Sequence, residues 1–91
     1  MDDQATIATD ILARYAADAA REVEGVRAIA GRRGVRISGK EAIRIEIHVV
    51  AERGVSIPDL GRAVQGRVRE YLSSMADVKP ASVDVVVDAI E

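Results

Sequence analysis

There is no cysteine in this 91-residue chain, no phenylalanine and no tryptophan. The missing thiols exclude a disulfide framework and thiolate metal sites, and they fit a reducing compartment. With Tyr15 and Tyr71 as the only aromatic residues, the core must be aliphatic and forgoes the large area an aromatic ring buries. A domain this small has a limited core in any case, so a shared interface with a second copy would help it. Long apolar runs are also missing. Nothing approaches the ~20 residues that span a bilayer, and the acidic start MDDQATIATD lacks the apolar segment of a signal peptide. These features predict a soluble, cytoplasmic protein without direct membrane insertion. Nor is there an excess of one charge: 13 basic and 15 acidic residues are well mixed, for a net charge of −2. That argues against the electrostatic footprint of a DNA-binding domain. Eleven of the basic residues are arginine. Arginine suits carboxylates and phosphates, although base composition alone produces the same bias.

The most informative stretch is Ala42 to Met75. Ile43, Ile45, Ile47 and Val49 alternate with Arg44, Glu46 and His48, which is the period of a half-buried strand. After a turn at Glu52-Arg53-Gly54-Val55-Ser56 the period changes. Ile57, Leu60, Val64, Val68, Tyr71, Leu72 and Met75 then fall on one stripe of a helix. Ser56 is a cap for that helix, with Pro58 and Asp59 in its first turn.

Before this stretch, a helix is expected from Thr9, with Thr6 as the alternative start, and with Ile11, Leu12, Tyr15, Ala16, Ala19 and Val23 on one face and Gly25 as its stop. Residues 1–8 are set apart as an N-terminal segment and residues 9–91 as a single domain. Val26 to Ala30 reads as a short strand, Gly31-Arg32-Arg33-Gly34 as a hairpin turn, and Val35 to Ser38 as a second strand. Ser38 to Glu41 turns the chain into the main strand. After a loop containing Pro80, Val83, Val85, Val87 and Ala89 alternate as a last strand. The fold class is therefore α+β, a single small domain of order α-β-β-β-α-β. The expected sheet is mixed and four-stranded: an antiparallel meander of the first three strands, with the last parallel to the third. Both helices would cover one face. The other would carry Arg36, Arg44, Glu46, His48, Asp84 and Asp88, together with Val50, Val86 and Ile90.

No constellation of catalytic residues emerges. His48 is the sole histidine, and with no cysteine it lacks partners for a zinc site. Asp84 and Asp88 lie four residues apart on a strand, roughly 13 Å, too far for a paired acid. Neither a G-x-S-x-G nor a glycine-rich phosphate loop is present. Gly31-Arg32-Arg33-Gly34 has the form of the GxxG loop of KH domains, but strand rather than helix follows it. The second helix contains two glycines, each costing about 1 kcal/mol against alanine. Gly61 sits at the edge of the apolar stripe. Gly66 points the opposite way, between Arg62, Arg69, Glu70 and Ser73. Arg62, Gly66, Arg69 and Ser73 recur at spacings of four, three and four, a line along which a partner could approach the backbone closely.

Three stretches make the chain resemble the alkaline-shock-protein family, the envelope stress response proteins of Gram-positive bacteria. Ile7 to Leu12, with Ala19-Ala20-Arg21-Glu22-Val23-Glu24-Gly25-Val26, resembles the family's first helix and its E-V-x-G-V ending. Ile43 to Val50, with Glu52-Arg53-Gly54-Val55-Ser56-Ile57-Pro58, resembles its long strand and G-x-x-I-P turn. Leu60 to Val68 resembles its V-Q-x-x-V helix motif. The chain departs from the pattern at Arg53, where an aromatic is usual, in a short first hairpin and in having no long tails. The resemblance implies a non-enzymatic, self-associating protein of stress response and cell-envelope homeostasis, with no cofactor. It further implies a homo-oligomer recruited to the inner face of the cell membrane by a membrane-anchored partner. Arg62, Gly66, Arg69 and Ser73 are the candidate interaction face. The alternative is a small RNA-binding or ribosome-associated domain using Arg32 and Arg33. Against it, an open sheet that binds single strands presents aromatic stacking residues, and both tyrosines fall on apolar helix stripes.

Overall fold

The computed structural model describes the backbone of residues 2–31 and 34–91, with side chains from residue 9 onward. The elements are α1 (Asp2–Arg21), β1 (Val26–Ile29), β2 (Val35–Ser38), β3 (Arg44–Ala51), α2 (Ile57–Ala76) and β4 (Ser82–Ile90). The order and the mixed four-stranded sheet agree with the sequence reading, and β3 is the centre of the molecule. Its alternating Ile45, Ile47, Val49 and Ala51 are all fully buried. Alternate residues of a strand point to opposite faces, so these four define the helix-covered side. Leu12, Ala16, Ala19, Ala20 and Val23 of α1 and its following turn meet them there, as do Leu60, Val64, Val68 and Leu72 of α2. Tyr15 and Tyr71 join the two helices edge to face, with ring centroids 5.7 Å apart.

The strand connection differs from the expected meander. β1 and β2 do not pair with each other. Both lie antiparallel along the same edge of β3, with β1 opposite Val49 to Ala51 and β2 opposite Arg44 to Ile47. Together they act as one interrupted strand. Two four-residue strands laid end to end can serve the backbone of the eight-residue β3, which a β1–β2 hairpin could not. The break is bridged by the backbone of His48: its carbonyl accepts from Ala30 N–H at 2.8 Å, and its N–H donates to the Gly34 carbonyl at 2.7 Å. Gly34 makes this approach possible. A Cβ there would stand 2.3 Å from Ile29 Cγ2 and 2.5 Å from the Ala30 carbonyl oxygen. The segment is therefore not a hairpin turn. Its Arg32 and Arg33 lie outside the described residues.

Three smaller corrections follow. α1 begins at Asp2, not Thr9. The first eight residues contain no glycine or proline to stop a helix. Met75, read as part of the apolar stripe, is half exposed, as is Ile11. Both sit beyond the last buried pair, Leu12 and Leu72, at the outer end of the helix layer. Finally, β4 runs parallel to β3 but carries a bulge: Val49 faces Val87, whereas Val50 faces Ala89 and Ala51 faces Ile90. The extra residue, Asp88, shifts the alternation. Ile90 therefore registers with buried Ala51 and leaves the open face, where Ala89 takes its place beside Val50.

Candidate interaction surfaces

α2 buries one side and leaves the other in solvent. Ser56 Oγ accepts from Asp59 N–H at 3.3 Å and starts the helix. At its end, Asp77 adopts a left-handed conformation, and its N–H reaches the Leu72 and Ser73 carbonyls. The four residues predicted along the outer line are all exposed, but they are not equivalent. Arg62 Nη2 lies 2.5 Å from Asp59 Oδ1, an ion pair in which both side chains are about 70% exposed and which therefore contributes little. Arg69 is occupied: its Nη1 donates to the Pro80 carbonyl at 2.9 Å and secures the loop into β4. Gly66 is bare, and a Cβ there would meet nothing within 4 Å. Ser73 is exposed beside it. Two other α2 side chains hold the helix in place. Arg67 pairs with Glu22 at 2.9 Å, and Gln65 donates to the Val83 carbonyl of β4 at 2.9 Å. Glu70, which flanks Gly66, makes no hydrogen bond or ion pair with the described residues.

At the centre of the open face of the sheet, three charged side chains satisfy one another. His48 projects from β3 between two carboxylates. Its Nε2 is 2.7 Å from Glu46 Oε2, and its Nδ1 is 2.8 Å from Asp88 Oδ1. Carboxylates accept but do not donate, so satisfying both contacts requires an N–H on each ring nitrogen. The arrangement thus suits the imidazolium. The hydrogen bond to Glu46, followed by that to Asp88, raises the histidine above its ordinary pKa of 6.5, while burial acts in the opposite direction. Arg36 of β2 and Asp84 of β4 stand in register on either side of Glu46. The sequence places His48 and Glu46 on one strand face. The alternation of the last strand places Asp88 on that face too, and the parallel pairing of β4 with β3 brings it, forty residues away in sequence, within hydrogen-bond distance. Both ring nitrogens face carboxylates, and among the described residues no group of three His, Cys, Asp or Glu could hold a metal ion.

A third surface is a shallow groove between α1 and the β1–β2 edge, where Arg14, Arg21 and Arg27 stand around Ala13, Ala17 and Ala28. Arg21 is paired with Asp18 at 2.7 Å and Arg27 with Glu91 at 3.4 Å. Tyr15 and Tyr71 are committed to each other beneath the helices, so neither offers a base-stacking platform on any of these surfaces.

Among the described residues, no helix is long and apolar enough to cross a membrane. No curated protein matches the sequence significantly. Solved structures of MamM CTD variants share the fold. One covers 90% of this chain and 98% of its own, with TM-score 0.62 and 16% identity. A nickel form covers 90% and 99%, with TM-score 0.62 and 16% identity. A cadmium form covers 90% and 96%, with TM-score 0.61 and 17% identity. Identities this low speak to the fold alone. The sequence profile of the alkaline shock protein 23 family, described as having a cell envelope-related function, matches residues 30–91. That stretch holds β2, the β3 core strand, the capped α2 and the alternating β4, and by it the chain belongs to the alkaline shock protein family.

Proposed function

We propose that this chain is a non-enzymatic, self-associating protein of cell-envelope homeostasis and stress response, acting through protein–protein contacts from the cytoplasmic side. A membrane-anchored partner would bring it to the envelope. Membership of a family with envelope-related function supports the setting. The observation that carries the mode of action is the outer face of α2: a fully formed twenty-residue helix, anchored on its inner side, with bare Gly66 in the middle of its exposed side. Glycine in an exposed helix interior is unfavourable by about 1 kcal/mol, and close approach of another backbone gives it a use.

Light-scattering mass, with circular dichroism as the folding control, tests this reading on the wild type and Gly66→Gln. A wild type larger than a monomer and a folded variant of lower mass are expected. A wild type that stays monomeric at all accessible concentrations would remove self-association. A variant of unchanged mass would remove this face.

A further inference from the structure

Around Gly66 the outer face of α2 has a charge pattern that is complementary to itself when reversed. Four residues before Gly66 stands Arg62, and four after stands Glu70. Seven residues before stands Asp59, and seven after stands Ser73. At 100° per residue all four lie within about 40° of the Gly66 direction, and all are exposed. Resting on the self-association proposed above, we propose that two copies of this chain associate through antiparallel α2 helices crossing at Gly66, with Arg62 of each against Glu70 of the other.

A two-fold axis through Gly66 carries every residue to the position equally far on the other side. Arg62 then meets the second copy's Glu70, and its own Glu70 meets the second copy's Arg62. A parallel pairing on this line would instead set Arg62 against Arg62 and Glu70 against Glu70. The glycine belongs at the axis, because there the two backbones come closest and any side chain would hold them apart. The space for it exists, since among the described residues nothing beyond the helix's own adjacent backbone lies within 4 Å of a Cβ at this position.

The charges are available as well. Glu70 makes no ion pair or hydrogen bond with the described residues. Among the described residues Arg62 is held only by Asp59, one turn away and about 70% exposed, a contact readily exchanged. Arg69, Arg67 and Gln65 are drawn toward Pro80, Glu22 and Val83 and leave the line clear.

Charge reversal tests the pairing through sedimentation velocity, with circular dichroism on every variant. Arg62→Glu and Glu70→Arg each place two repulsive pairs in the dimer, so each is expected to weaken association about tenfold or more. The double variant Arg62→Glu with Glu70→Arg restores the pairs in reverse and should recover most of it. Restoration by the double variant of the association that each single reversal loses establishes the interface, and failure to restore it overturns the pairing. An oligomeric wild type whose mass ignores both single reversals overturns this interface and leaves self-association standing. A monomeric wild type overturns both.

Discussion

The open face of the sheet and the outer face of α2 are both studded with charge, but they dispose of it differently. On the sheet, His48 draws Glu46 and Asp88 together and leaves the centre of that face internally satisfied. On α2, among the described residues, Glu70 has no partner and Arg62 has only a solvated neighbour, and the position between them has no side chain. A charged surface whose partners are already supplied by the fold gains little by meeting another molecule, because each new contact must displace an existing one. A surface whose charges are left over, around a point where a backbone can come close, gains more. The number of charges is thus a poor guide to an interface compared with whether the fold has already used them.

The largest expected effect removes both faces at once. Val64 is fully buried beneath α2. Val64→Asp would bury an unpaired carboxyl at a cost on the order of several kcal/mol, against a total stability of roughly 5–15 kcal/mol for a typical domain. Cooperative thermal unfolding followed by circular dichroism should disappear. A sharp melt near the wild-type temperature would show that α2 does not rest on this side.

The next contrast lies between two glycines. Gly34→Ala forces a Cβ into Ile29 and the Ala30 carbonyl, so it should destabilise the protein by about 1–3 kcal/mol. It should also disturb the His48 environment, because Gly34 accepts from the His48 backbone N–H. Gly66→Ala meets nothing and should raise monomer stability by up to about 1 kcal/mol. Urea unfolding of the two variants checks both signs. Stabilisation by Gly34→Ala would mean that the break between β1 and β2 is not as tight as described.

The smallest expected effect is the pH response of the sheet face. The folded pKa of His48 is raised above 6.5, so its contribution to stability is fully present below the unfolded value. That contribution is lost as pH rises through the folded pKa. NMR titration of the ring should show the raised value. Glu46→Gln should lower it more than Asp88→Asn, following the order of the two causes. A wild-type titration at or below 6.5 would show that the two carboxylates do not hold the ring in solution.

Much of this architecture is legible in local pattern. The alternation from Ile43 to Val49 marks the central strand, the Leu60, Val64, Val68 and Leu72 stripe marks the inner side of α2, and Ser56 with Pro58 marks its start. Each is a property of neighbours a few residues apart, where the period of the backbone decides which way a side chain points. The line of Arg62, Gly66, Arg69 and Ser73 is legible for the same reason, as all four lie on the exposed side of one helix. Helical spacing cannot show, however, that the Arg69 guanidinium on this line also reaches the Pro80 carbonyl.

The determinants of the remaining features are long-range. Gly31 to Gly34 has the composition of a hairpin turn, but the unpaired edge of β3 draws β1 and β2 into one line, because its backbone groups require partners along their whole length. The bulge at Asp88 is set by how β4 registers on β3, and it puts Ile90 opposite Ala51; the parallel pairing of the same strands brings Asp88 to His48. The amino-acid sequence by itself determined the elements, their buried faces and the helix line around Gly66, since these follow from spacing along one segment. Only the tertiary structure decided which strands share an edge, where the alternation slips and which charges already have partners. Those outcomes depend on hydrogen bonds and ion pairs between residues that pattern reading treats as unrelated.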